Sequence, residues 1–280
     1  MTKVPTTKLP NGEAVAQLGL GTWQMGESSR QRAEEVKALK LGLDLGMTVI
    51  DTAEMYASGG AEEVVGEAIQ GLRDKIYLVS KVLPQNSSAK GTVAACERSL
   101  KRLKTDRLDL YLLHWRGSYA LSETLEGFVA LQKAGKIRLW GVSNFDVADM
   151  EELTRLHDGM GVATNQVVYS LRRRGIEFDL IPWQKARKIP VMAYSPLDQG
   201  RLLSSRELGA VAARHEATPA QVALAWAMRD PIVFTIPKAG SEEHVRENHG
   251  ALAITLTKED IAQLDRAFPP PAKKKPLDLI

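Results

Sequence analysis

The sequence predicts one (β/α)8 barrel, the TIM fold, spanning residues 1–280, and three observations predict it. Eight short runs rich in Val, Ile, Leu and Tyr alternate with helical stretches at the spacing of βα units. Several of those runs end on a polar side chain, as strands do where they open onto the reactive face of a parallel barrel. No domain boundary or low-complexity linker interrupts the alternation, so a single domain is expected. A doubly wound open sheet is the competing topology for the same pattern.

The elements follow in order. Residues 6–18 read as a β-hairpin turning at Asn11-Gly12, a strong short hairpin signal, and the hairpin is expected to cap the barrel bottom. The barrel strands are expected at 18–22, 48–51, 76–81, 108–114, 137–144, 163–170, 190–195 and 232–238. Helices are expected at 31–45, 60–70, 89–103, 121–133, 147–156, 177–188, 205–214, 218–228, 241–248 and 257–267. Gly135 is placed to end the fourth strand's helix as a C′ glycine. Pro182 is tolerated in the first turn of its helix. Thr218-Pro219 is a start signal, and Thr257 with Asp260 resembles a capping box with Asp in the Glu/Gln position. The proline-rich segment 269–280 is expected to lie extended over the surface.

Composition bounds the function. The chain has ordinary apolar (44%) and charged (25%) fractions and is long enough to bury a substantial core. A net charge of +3, spread along the chain, lacks the footprint of a nucleic-acid binder. No apolar run is long enough for a membrane span, and the N-terminus has no signal-peptide core, so no membrane partner is expected. Cys96 is the single cysteine; no internal disulfide can form, which fits a reducing cytoplasm, and its helical setting reads as a packed thiol. His157, His215 and His249 show no metal-ligand spacing, so no metal site is expected.

Asp51, Tyr56, Lys81 and His114 lie at or just beyond the ends of three of these runs and would meet on one face of a barrel. Taken singly, a strand-end Asp, Lys or His more often makes a cap or a surface ion pair. The surrounding segments shift that balance. Gly19-Leu-Gly-Thr-Trp23, Asp51-Thr-Ala-Glu-Met-Tyr56, Val79-Ser-Lys81, Asp109-Leu-Tyr-Leu-Leu-His-Trp115, Gly141-Val-Ser-Asn-Phe145, Asn165-Gln166, Ala193-Tyr-Ser-Pro-Leu197 and Ile236-Pro-Lys238, in this order, resemble the aldo-keto reductases over nearly the whole chain. The short C-terminal tail resembles the bacterial branch. The resemblance implies the (β/α)8 fold and nicotinamide-dependent reduction of aldehydes and ketones in a cytoplasmic monomer.

The chemistry suits these residue types. A carbonyl reduction needs a hydride donor and a proton for the developing alkoxide. A free tyrosine, with a pKa near ~10, is a weak acid at neutral pH. Lys81 is expected to lower the Tyr56 pKa, Asp51 to pair with Lys81, and His114 to hydrogen-bond and orient the carbonyl. The dinucleotide fingerprint Gly-x-Gly-x-x-Gly is absent, since Gln24 stands where its third glycine belongs. The resemblance implies instead an extended NADPH across the barrel mouth. Ser143, Asn144 and Gln166 would meet the carboxamide, with Asp51 beside it, and Tyr194 would stack on the nicotinamide. Gly21, Thr22 and Trp23 would line the mouth, and Ser195 and Leu197 would meet the pyrophosphate. Lys238, His244, Glu247 and Asn248 would hold the adenosine end. His244 stands where the family usually has Arg, which leaves room for NADH.

For substrate, Trp23, Tyr56, His114 and Trp115 are expected at the carbonyl, with Met25 and Met55 extending an apolar wall. Core packing competes as the role of the two methionines. The short tail points to an open site for small aldehydes, dicarbonyls or keto sugars. Two other functions fit the same sequence: a cofactor-binding, redox-sensing regulatory subunit, and a cofactor-free barrel lyase or isomerase.

Overall fold

The computed structural model describes residues 2–280 and has the predicted architecture. Strands β1 (Thr6–Lys8) and β2 (Ala14–Ala16) form an antiparallel hairpin with Thr6 opposite Ala16. The barrel strands are β3 (Leu20–Gly21), β4 (Val49–Asp51), β5 (Tyr77–Val82), β6 (Leu108–Leu113), β7 (Ile137–Ser143), β8 (Asn165–Val168), β9 (Val191–Tyr194) and β10 (Val233–Thr235). They pair in chain order, each parallel to the next. Backbone bridges Leu18–Thr235 and Gly21–Lys238 join the first strand to the last. The sheet therefore closes, which rules out the open doubly wound alternative. The seam is tight: a Cβ on Gly21 would sit 2.5 Å from the Ile236 carbonyl oxygen, so a larger residue would push the seam apart. β5 and β6 are buried at every position, as expected of parallel strands covered on both faces.

The helices are α1 (Arg32–Asp44), α2 (Gly60–Ala68), α3 (Ala89–Leu103), α4 (Leu121–Lys133), α5 (Val147–Arg155), α6 (Leu180–Ala186), α7 (Arg206–Arg214), α8 (Pro219–Ala227), α9 (Glu242–Gly250) and α10 (Lys258–Ala267). The local start and stop signals act as the sequence implies. Gly135, at φ 71°, follows the α4 C-cap. Thr218 and Gln221 complete a capping box at α8, and Thr257 and Asp260 complete one at α10, so Asp suffices where Glu or Gln is usual. α6 starts at Leu180 rather than at 177. The ring of Pro182 excludes a helical carbonyl at residue 178, so the chain makes a 3-10 turn at Gly175–Glu177 first.

The hairpin sits beneath the barrel. Thr7 Oγ1 donates to the Pro231 carbonyl (2.6 Å), and Gln17 Nε2 donates to the carbonyls of Met228, Asp230 and Val233 near the entrance of β10. Asn11-Gly12 turns within a loop over residues 9–13, closed by Leu9 N–H to the Glu13 carbonyl, rather than as a two-residue turn. With one end covered, the face at the C-terminal strand ends is left for a site. Cys96 is fully buried and its thiol is pushed up to about 12 by burial, as fits a packing role. Among the described residues, no helix is long and apolar enough to cross a membrane, and no cluster of His, Cys, Asp or Glu could hold a metal ion.

Candidate active site

The barrel brings the four separated residues together. Asp51 ends β4, Lys81 is the penultimate residue of β5, and His114 directly follows β6. Lys81 is fully buried, and its ammonium has three N–H donors. They meet Asp51 Oδ2 (2.8 Å), the Thr52 carbonyl oxygen (2.8 Å) and the Tyr56 hydroxyl (3.2 Å), so the buried charge is fully bonded. Asp51 Oδ1 accepts from Gln166 Nε2 at 2.8 Å, and the Asp51 backbone carbonyl accepts from Thr22 Oγ1 at 2.9 Å.

Tyr56 opens the turn Tyr56–Gly59 beyond β4, where Ala57 (φ 49°), Ser58 (φ 52°) and Gly59 (φ 97°) are left-handed. This loop packs on the one after β3. A Cβ on Gly26, itself at φ 76°, would fall 2.4 Å from the carbonyl carbon of Gly60. That contact needs glycine and sets the Trp23 loop beside the Tyr56 loop. The His114 ring lies edge-on to Tyr56 (centroids 5.9 Å apart) and 4.8 Å from the Trp115 ring.

Burial governs the titrations. It pushes the Tyr56 phenol above its ordinary value, and Lys81 opposes this without cancelling it. The expectation that Lys81 leaves Tyr56 with a lowered pKa is thus corrected: Lys81 acts in that direction, but desolvation outweighs it in this site. Burial alone would lower the Lys81 ammonium, yet Asp51 and Tyr56 together hold it above its usual value. Burial, then the Lys81 charge, lowers His114 to about 2. The imidazole is neutral, and its Nδ1 is buried with no partner.

A cavity of about 850 Å3 opens over these groups. Its walls include the predicted Gly21, Thr22, Trp23, Asp51, Tyr56, His114, Trp115, Ser143, Asn144, Gln166, Tyr194, Ser195, Leu197 and Lys238. Lys81 lies behind them, bonded to the wall residues Asp51 and Tyr56. One network joins Ser143, Asn144, Gln166 and Tyr194. Ser143 Oγ donates to the Gln166 carbonyl (2.8 Å), Asn144 Nδ2 to the His114 carbonyl (3.1 Å), and the Tyr194 hydroxyl to Asn144 Oδ1 (3.0 Å). Burial pushes Tyr194 up to about 12, against the opposing backbone of Ile280.

His244, Glu247 and Asn248 lie on α9 and form no wall of the cavity. His244 is exposed in the first turn, its N–H directed to Ser241 Oγ. Asn248 is buried, and its Nδ2 has no partner. The cavity falls in the ~300–1,000 Å3 range of small-molecule sites. Together with the orphaned amide of Asn248, the exposed Lys238 ammonium and the exposed His244 ring, it fits a long, partly anionic ligand such as a nicotinamide dinucleotide.

The two readings left open for the methionines divide between them. Met25 is fully buried in the core and forms no part of the cavity, whereas Met55 and Trp23, each 41% exposed, stand at its rim. The C-terminal segment reaches the cavity rather than ending clear of it. Asp278 pairs with Arg173 (3.0 Å), and Leu279 and Ile280 line the cavity. Sequence reasoning also missed Arg116, a cavity residue tied to Glu152 at 2.7 and 2.8 Å, and the bond from Gln166 to Asp51. Charge next to Trp115 was a usable signal for Arg116; nothing in the sequence signals the return of residues 279–280.

Comparison with known proteins agrees with this geometry. The aldo/keto reductase family model matches residues 17–268. The methylglyoxal reductase YeaE of Escherichia coli is 52% identical, over 94% of this chain and 94% of that protein. The glyoxal reductase of Bacillus subtilis is 36% identical, over 93% and 91%. The crystal structure of an aldo-keto reductase from Klebsiella pneumoniae in complex with NADPH superposes with a TM-score of 0.97 at 53% identity, covering 99% of both chains. The chain belongs to the aldo/keto reductase family of oxidoreductases.

Proposed function

We propose that this chain reduces small aldehydes and dicarbonyls of the methylglyoxal and glyoxal type to alcohols with NADPH. The observation that carries this reading is the buried Lys81 ammonium bonded at once to Asp51 and the Tyr56 hydroxyl, under a cavity walled by His114 and Trp115. The names of the E. coli and B. subtilis relatives, and the NADPH held by the Klebsiella structure, support the substrate and cofactor class.

NADPH, when bound, supplies the hydride to the carbonyl carbon. Ser143, Asn144, Gln166 and Tyr194 are the residues that would hold its nicotinamide, Ser195 and Leu197 its pyrophosphate, and Lys238, His244, Glu247 and Asn248 its adenosine end. Tyr56 is the general acid: its hydroxyl gives its proton to the carbonyl oxygen as the alkoxide forms. With its pKa raised by burial, the phenol is fully protonated at neutral pH, ready for reduction. The phenolate left behind is stabilised by the adjacent Lys81 ammonium, which Asp51 and the Thr52 carbonyl hold in place. A neutral His114 acts as hydrogen-bond donor and steers the carbonyl without competing as an acid. Trp23, Met55 and Trp115 give an apolar rim suited to small, weakly polar carbonyl compounds.

A steady-state assay of NADPH consumption with methylglyoxal, glyoxal, larger aldehydes and keto sugars tests this. Rapid turnover of the dicarbonyls is expected. NADPH binding without turnover of any carbonyl would favour the redox-sensing subunit, and no NADPH binding would favour a cofactor-free barrel enzyme.

A further inference from the structure

The loop between β9 and α7 is bent into a conformation its sequence does not favour. Ser195 (φ 49°), Asp198 (φ 47°) and Gln199 (φ 56°) are all left-handed, followed by Gly200 at φ 84°. Residues with side chains hold such angles only where the surroundings fix them. The loop is short of apolar anchors on its cavity side, where Ser195, Leu197, Gln199 and Gly200 face the space for the ligand. Its anchor is Asp198, fully buried, whose Oδ1 accepts from Arg173 Nε at 3.3 Å; Arg172 Nε lies 3.5 Å from Oδ2.

Arg173 is itself fixed. Its backbone N–H donates to the Ser170 carbonyl (3.0 Å), and its carbonyl accepts from Ser170 N–H (3.4 Å), in a tight turn beyond β8. The same guanidinium reaches the C-terminal segment, with Nη1 donating to Asp278 Oδ1 at 3.0 Å. Leu277 packs on the core beneath, and Leu279 and Ile280 then reach the cavity. One planar fork therefore holds two separate walls of one cavity, using different nitrogens for each.

We infer that Arg173 is a positioning residue that couples the Ser195–Gly200 loop to the segment 277–280, so that the two walls are held in place around the bound cofactor together. This rests on the cofactor reading given above. Arginine suits the coupling, because its rigid fork offers separate nitrogens to two carboxylates, whereas a lysine would have to draw both onto one ammonium. Breaking one arm should loosen the wall at the other end of the fork.

Hydrogen–deuterium exchange on the cofactor-free protein tests the coupling alone. Asp278→Asn should speed exchange of the amides of residues 195–201, although that substitution lies outside the loop; unchanged exchange there overturns the inference. NADPH titration by protein fluorescence tests its consequence. Asp278→Asn should weaken NADPH about three- to fivefold in the parent protein and hardly at all in an Arg173→Lys background, with Asp278→Glu restoring the parent affinity. Equal losses in both backgrounds, or none in either, overturn it. If the parent protein itself binds no NADPH, the cofactor reading fails while the exchange result still decides the coupling.

Discussion

The two ends of the cavity are built in opposite ways. At the Tyr56 end, the central ion pair is fixed by strand ends, burial and complete bonding: Lys81 is fully buried with all three of its donors used, and Asp51 is 2% exposed with both oxygens occupied. At the far end, Lys238 is exposed, the loop after β9 is left-handed at three non-glycine residues, and ion pairs from Arg172 and Arg173 to Asp198 hold it. Proton transfer demands placement to a fraction of an ångström, and only a packed core supplies that. A ligand that must enter and leave needs walls that move, and partly exposed ion pairs on loops allow it.

The largest effect should come from the rigid end. Tyr56→Phe removes the acid while keeping the ring, and should cost about 10²–10⁴-fold in kcat with NADPH affinity preserved. Stopped-flow reduction with a fluorescence titration measures both, and near-normal turnover would remove Tyr56 from its role. Lys81→Met leaves Asp51 buried without its cation. It should destabilise the fold by about 3–5 kcal/mol in urea unfolding and also slow turnover. A stable but inactive variant would show that burial at this end is less demanding than the geometry indicates.

The third prediction concerns pH. His114 has a folded pKa of about 2, below its unfolded value near 6.5, so the unfolded chain binds the extra proton between those limits. Stability from this residue is complete above pH ~6.5 and falls by about 1.4 kcal/mol per pH unit below it. His114→Gln should flatten the acid side of the stability–pH curve; an unchanged slope would place a proton on His114 in the native state. The smallest effect is expected at the exposed end. His244→Arg should tighten NADPH a fewfold and leave NADH unchanged, because the fork supplies a bidentate grip on the 2′-phosphate. Equal gains for both cofactors would show that position 244 does not read that phosphate.

Much of this was legible in the chain. The alternation of runs marked every strand of the barrel, and the local signals at Gly135, Thr218 and Thr257 acted as read, because capping and turn chemistry depend on neighbours within a few residues. The start of α6 was misplaced by reading the pattern past Pro182, although the proline's reach to residue 178 was itself in the sequence. The grouping of Asp51, Tyr56, Lys81 and His114 was legible only through the barrel, since no local spacing links residues so far apart.

The sequence by itself determined the fold class, the strand order and the residue types at the strand ends, because periodicity and capping are short-range properties of the chain. Only the tertiary structure decided what distance and burial decide. Desolvation outweighs Lys81 in setting the Tyr56 pKa, Met25 lies in the core, Gln166 steadies Asp51, and Arg173 and the packing of Leu277 bring the C-terminal segment back to the cavity. Each is a contact between elements remote in sequence, made when the barrel closes at Gly21 and Lys238 or when the chain returns across its mouth.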